Sequence, residues 1–336
     1  MTERIGKYTL HLKNKPSIIS SAAVVGKKEG EGPLCADFDA IHNDSKLGAN
    51  SWEEAESLFQ KEALDRAMGK IGLECADIGY VFAGDLLDQC IGSSFGLKDK
   101  NIPLIGLYGA CSTMALSMSM ASVFANGKIA KYVAAVTSSH YCSSERQFRF
   151  PLEYGGQRPP SAQWTVTGAG AVILSEHQNG LPSIEDVTIG KIVDLGVTDQ
   201  NNMGGAMAPA AADTIKNYLR DTCTTPADYD MIFTGDLGSV GSSLLYDLLK
   251  LDNIDLRSHH KDCGLMIFSP DQTDVLAGGS GCGCSASVFS SHILRQMREG
   301  NLKNILFVAT GALLSPTSVM QRETVPAIAH LLHITV

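Results

Sequence analysis

The chain has 336 residues, 44% hydrophobic and 19% charged, with a formal net charge of −9. That length and apolar content suffice for two ordinary cores, and the acidic balance excludes no small-molecule role but argues against a nucleic-acid partner, which would want a basic face. The nine cysteines, at positions 35, 75, 90, 111, 142, 223, 263, 282 and 284, form no C-x-x-C framework. No apolar stretch approaches the roughly 20 residues of a membrane-spanning helix, and the first residues lack a signal-peptide core. A reduced, intracellular setting is expected, with peripheral attachment to a membrane left open.

In chain order, residues 1–16 are polar and read as an arm, and 17–25 as a β-branched strand stopped by Gly26. Asp37, Asp39 and Asp44, beside His42 and Asn43, have the side chains of a hard-cation loop but not its full spacing, so a solvated loop is the simpler reading. Ser51-Trp52-Glu53-Glu54 is a capping box, and Ala55, Leu58, Phe59, Ala63, Ala67 and Ile71 then recur at helical spacing up to Gly72. Residues 78–83 read as a buried strand, 86–95 as a short helix, 102–108 as a strand, 111–126 as a helix and 131–137 as another buried strand. Residues 138–164 break the pattern with serines, arginines and interleaved aromatics, as loops that line sites often do. Residues 165–176 return to strand.

A second round follows: strand 183–195, helix 209–219 with proline in its first turn, strand 229–234, helix 241–251, helix 284–298 and strand 304–311. Phe82-Ala83-Gly84-Asp85-Leu86 matches Phe233-Thr234-Gly235-Asp236-Leu237. A constant shift of 173 residues carries Cys111 onto Cys284, Ser112 onto Ser285, Gly127 onto Gly300 and Thr137 onto Thr310. The order and placement of these matches indicate an internal duplication, with parallel βαβ units in each half. The expected halves are 1–180, carrying the insertion 138–164, and 181–336.

In such sheets ligands bind beyond the carboxyl ends of the strands, where Gly84-Asp85, Cys111, Ser138, Gly235-Asp236 and Gly311 fall. Cys111 follows a strand and opens a helix, so unpaired N–H groups and the helix dipole favour thiolate character there. The ordinary alternative is a buried cysteine acting as a small hydrophobe. His140 lies near a strand exit. His259, His260 and Cys263 have zinc-ligand types but no matching second cluster.

The turn Gly109-Ala110-Cys111-Ser112-Thr113, the strand Thr167-Gly168-Ala169-Gly170-Ala171 and the run Gly281-Cys282-Gly283-Cys284-Ser285 resemble the thiolase superfamily, which includes the β-ketoacyl synthases. That resemblance implies a thiolase-like α/β fold, with two βαβαβαββ halves in a five-layer αβαβα arrangement and a nucleophile at Cys111. It also implies a homodimer paired through strand 131–137 or its neighbour. Where the superfamily's condensing enzymes keep a histidine this chain reads Thr234-Gly235-Asp236. A carboxylate beside a thiolate would raise both pKa values, which argues against condensation.

A narrower resemblance, on residues 109–115, 144–155 and 163–170, is to the stage V sporulation AD family of endospore-forming bacteria. It implies a non-enzymatic protein that binds dipicolinic acid, alone or as its calcium chelate, for uptake into the developing spore, peripheral on the spore inner membrane and alongside the SpoVA membrane-complex proteins. No cofactor is expected beyond calcium carried with the ligand. The alternative is an acyl-thioester transferase using Cys111, helped by Asp236, Cys282 or His140; a third reading is a scaffold with no ligand.

A flat dicarboxylate wants arginine, hydroxyl and backbone donors and an aromatic wall. Arg146, Arg149 and Arg158 are the anion candidates, Ser138, Ser139 and Gln163 the neutral donors, and Phe148, Tyr154 or Trp164 the wall. Asp85, Asp236 and Glu145 are candidate calcium contacts. Cys111, His140, Cys282 and Cys284 complete the expected ligand-binding set. Residues 325–336 are apolar enough to pack on the body or a partner.

Overall fold

The computed structural model describes residues 2–148 and 158–336. Ten strands and seven helices of these position the site. The first half holds β1 (Ser17–Gly26), α1 (Trp52–Gly69), β2 (Ile78–Gly84), α2 (Ile91–Leu97), β3 (Leu104–Gly106), α3 (Thr113–Asn126), β4 (Tyr132–Ser139), the inserted α4 (Tyr141–Phe148) and β5 (Gly168–Ser175). The second holds β6 (Ser183–Thr188), α5 (Met203–Thr222), β7 (Met231–Thr234), α6 (Gly238–Lys250), β8 (His260–Asp262), α7 (Cys282–Val288, continued to Arg298 through one π turn), β9 (Asn304–Ala312) and β10 (Ala327–Thr335).

The strands run in the order β8-β7-β9-β10-β6-β1-β5-β4-β2-β3. Numbered from its own first strand, each half reads 3-2-4-5-1, with its second strand parallel to the third and fourth and its fifth antiparallel to the fourth and first. This is the duplicated thiolase-like architecture. The halves meet where Ser17 pairs with Ser183.

Alternation along the strands builds the layers. Phe82 of β2 faces a central core while Val81 and Ala83 face outward; Phe307 and Ala309 of β9 face the same centre while Leu306 and Val308 face away. Sheets covered on both faces need strands apolar throughout. Helix α1 covers the outer face of the first half, and α5 and α6 cover that of the second. Between the halves lie α3 and α7, completing αβαβα. Central α3 and the first turns of α7, residues 282–288, are built of apolar and small residues that are mostly buried, as a helix between two sheets must be. A Cβ on Gly170 of β5 would lie 2.2 Å from the Ala286 carbonyl oxygen, so glycine there lets α7 press onto the sheet.

Three expectations need correction. Within the expected arm, residues 2–12 form a hairpin: Thr2–Ile5 pairs with Thr9–Leu12, which pairs in turn with β6. Helix α5 starts at Asn202, whose side chain caps Gly205 N at 3.1 Å, and Pro209 lies inside it rather than in its first turn. The strand expected to pair two chains, 131–137, is β4, occupied on both sides by β2 and β5, and so is its neighbour β2; the open edge of that half is β3. Residues 327–335 form β10, in the middle of the sheet order. No helix among the described residues is long and apolar enough to cross a membrane.

Candidate functional site

The site lies at the carboxyl ends of β2, β4, β7 and β9. After β3 the chain makes a tight turn, Ala110–Ser112, before α3. Ala110 holds a left-handed φ of 48°, and Ser112 Oγ and Thr113 Oγ1 each donate back to the turn, to Gly109 O and Ala110 O at 2.6 Å. This fixes Cys111 against Gly311, where a Cβ would lie 2.2 Å from the Gly109 carbonyl oxygen.

Asp236, at the end of β7, is fully buried beside the thiol. Its Oδ1 accepts from Thr310 Oγ1 at 2.9 Å, and Oδ2 from Gly281 N at 2.9 Å and Ser280 Oγ at 3.3 Å. Gln163, also buried, donates to the Asp236 carbonyl at 2.7 Å and to Gly279 O at 2.8 Å. Cys111 Sγ lies 3.9 Å from Ser280 Oγ.

The electrostatics reverse the thiolate expectation. Burial pushes the Asp236 carboxyl up to about 7, and burial together with the Asp236 charge pushes the Cys111 thiol well above its ordinary value. A helix N-terminus stabilises an anion by about 1 kcal/mol when exposed, and about 2 in favourable partly buried geometry. Desolvation next to a carboxylate outweighs that. Cys282, whose thiol donates to Ser138 O at 2.9 Å, is raised in the same way.

Above Cys111 opens a cavity whose empty space, its mouth included, is about 560 Å³. Leu86, Tyr108, Phe148, Met203 and Leu314 make its apolar wall. Ser144, Glu145, Thr165, Gln200 and Ser280 bring polar atoms, and no lysine or arginine of the described residues lines it.

The remaining expected residues serve other ends. Asp85 is a cap, accepting from Leu87 N, Ser93 N and Ser93 Oγ at 2.6–2.9 Å. Ser138 donates to Glu56 at 3.3 Å, and Ser139 to Val166 O at 2.7 Å. His140 is no helper to Cys111: its Nε2 faces Ser45 O at 2.9 Å, its Nδ1 accepts from Cys142 N at 3.1 Å, and its ring packs on Trp52. Arg146 pairs with Glu53 at 2.6 Å on the surface. Arg158 ties together the carbonyls of Gln163 and Asp274 beside Trp164 and does not line the cavity. Trp164 stacks on Tyr141 at 3.7 Å instead of forming the cavity wall. Arg149 and Tyr154 lie outside the described residues. Cys284, the repeat of Cys111, is buried in the central core with its thiol toward Gly235 O at 3.7 Å.

Among the described residues no group of three or more His, Cys, Asp or Glu is placed to hold a metal ion. Asp37 meets His292 and Arg295, and Asp39 meets Lys70. His260 is locked between Thr234 Oγ1 and Tyr246 OH, both at 2.8 Å.

Sequence reasoning passed over Glu56, Ser144, Gln200, Ser280 and Thr310. Two had a signal: Thr310 is the repeat of Thr137, and Glu56 falls on the buried stripe of α1, where a carboxylate is out of place.

Comparison with known proteins agrees with this fold. The chain superposes on 3-oxoacyl-[acyl-carrier-protein] synthase III from Aquifex aeolicus with a TM-score of 0.56 at 12% identity, covering 96% of this chain and 100% of that one. On cerulenin-bound OleA of Xanthomonas campestris the TM-score is 0.62 at 11% identity, covering 96% and 99%. At such identities the likeness is one of fold alone. Stage V sporulation protein AD of Bacillus subtilis (strain 168) is 46% identical over 325 residues, 97% of this chain and 96% of that protein. The pattern of the family called Stage V sporulation protein AD also matches residues 6–335, so this chain belongs to the stage V sporulation protein AD family.

Proposed function

We propose that the chain binds dipicolinic acid as its calcium chelate in the cavity above Cys111, without turnover, and thereby serves uptake into the developing spore. Family membership supports a role in sporulation. The observation that carries the reading is the exchange of a base for a buried carboxylate. Asp236 spends its acceptors on Thr310, Ser280 and Gly281 N and leaves Cys111 a neutral thiol, while the cavity over that thiol stays open.

The lining favours the chelate over the free dianion. No described lysine or arginine lines the cavity to meet a doubly negative ligand. In the chelate both carboxylates already neutralise the metal, which the pyridine nitrogen also ligates. The protein then needs to add only oxygen, which Glu145 offers, hydroxyl donors for the outer carboxylate oxygens, and an apolar wall for the ring.

Titration calorimetry with dipicolinate, with and without calcium, tests this: saturable binding that requires calcium is the expected result. No binding in either condition would overturn it, and a Cys111 acyl adduct in intact mass spectra after incubation with an acyl-thioester would favour the transferase reading instead.

We extend the proposal to assembly. Ile91, Phe95, Leu104 and Tyr108 are exposed large apolar residues on or flanking the open β3 edge. A second copy pairing there would cover them, with the SpoVA membrane-complex proteins meeting other faces. Sedimentation of the purified chain tests the pair.

A further inference from the structure

Ser144 has a hydroxyl that the protein itself does not use. The residue is 4% exposed, its Oγ has no hydrogen-bond partner, and its side chain lines the cavity. Serines inside helices normally return the hydroxyl to the carbonyl three or four residues back. Ser119, Ser287 and Ser291 do so here, each at 2.6 Å. For Ser144 the carbonyl four back is that of His140, which already accepts from Ser144 N at 3.1 Å and Ser143 Oγ at 3.0 Å. Ser143 shares its one hydroxyl proton between that carbonyl and Glu56 Oε2, the latter at 2.6 Å. The crowding at that carbonyl leaves Ser144 Oγ to the cavity, where Thr165 brings a second hydroxyl side chain.

A buried hydroxyl without a partner is a standing cost to the folded chain. We infer that Ser144 Oγ is a ligand-binding donor, bonded to a carboxylate oxygen of the occupant, and that it selects for an acceptor-rich ligand over an apolar acyl chain. The inference rests on the cavity taking the dipicolinate chelate, and it adds the residue that reads the carboxylate.

The test uses the full chain and three proteins: wild type, Ser144→Ala and Ser144→Thr, with calcium dipicolinate as probe. Removing an unsatisfied hydroxyl should raise the thermal midpoint of the unliganded Ser144→Ala protein while weakening its binding at least tenfold, the loss of one charge-assisted bond. Ser144→Thr keeps the donor and should bind within a few-fold of wild type.

Gain of stability with loss of affinity is a combination that a merely structural serine would not give. If wild type binds and Ser144→Ala binds equally well, the inference falls and the reading of the cavity stands. The inference also falls if Ser144→Ala is both less stable and weaker, or if Ser144→Thr loses affinity as Ser144→Ala does. If wild type binds no calcium dipicolinate, the reading of the cavity fails first and takes the assignment of Ser144 with it.

Discussion

The Asp236→Asn substitution puts a number on the burial of the site carboxylate. Asp236 titrates at about 7 in the folded chain, raised by burial from an ordinary value of 3.8. An acid raised by folding holds its proton in the native state after the unfolded chain has released it, so stability is greatest at low pH and is lost as pH rises toward 7. Between about pH 5 and 6.5 folding takes up close to one proton at this group, a slope of about 1.3 kcal/mol per pH unit and about 2 kcal/mol across the window. Glu29, also buried and pushed to about 7, adds a similar slope but cancels in a comparison of two proteins that both contain it.

Asparagine keeps an oxygen for Gly281 N and can turn its amide toward Thr310, whose hydroxyl can accept as well as donate. The substitution therefore removes the titration without emptying the site. Urea unfolding at several pH values across the window should show the variant gaining about 2 kcal/mol on wild type from the acid end to the neutral end. Parallel stability profiles would refute a buried Asp236 that holds its proton toward neutrality.

Alkylation of Cys111 by iodoacetamide, followed by intact mass, should be slow at neutral pH and rise only in alkali. Asp236→Asn should shift that pH profile downward, because the carboxylate is the second cause of the raised thiol; a shift the other way would refute the coupling. Glu56, fully buried between Ser138 and Ser143 and raised well above its ordinary value by burial and then by Asp85, should tolerate glutamine within about 1 kcal/mol at low pH, where both side chains are neutral. Wild type should fall progressively behind Glu56→Gln from about pH 5 upward, in the same unfolding assay. Gly170→Ala must force β5 and α7 apart, since the added carbon meets a backbone oxygen at 2.2 Å; a loss of about 1 to 3 kcal/mol is expected.

The fold was legible in the sequence because duplication leaves a spacing. The matched Phe-x-Gly-Asp-Leu runs and the two cysteine turns mark equivalent strand ends, and the strand order repeats in the same sense. The position of Asp236 was legible for the same reason. The cavity lining was not. Ser144, Gln200 and Leu314 come from an insertion and two loops that have no periodicity to read, and their convergence depends on how the loops fold over the strand ends. Arginine side chains misled for a related reason. Composition put Arg146 and Arg158 in the loop that borders the site, but each finds a nearer acceptor, Glu53 for one and the Gln163 and Asp274 carbonyls for the other.

The two repeated cysteines show where the symmetry stops. Cys111 and Cys284 occupy the same place in their halves, each at the head of a central helix. Around Cys284 the space is filled: its thiol lies against Gly235 O, and Cys263, Ile267 and Phe268 belong to the same core cluster. Around Cys111 the matching space is the cavity, lined by Gln200, Ala312 and Leu314 from the second half and by Ser144, Glu145 and Phe148 of α4. A duplicated fold thus needs only one of its two strand-end clefts for its core. Across the other, Asp236 bonds Gly281 N, Ser280 and Thr310. The carboxylate that burial raises beside the Cys111 thiol is thus also the group that ties the walls of the cavity together.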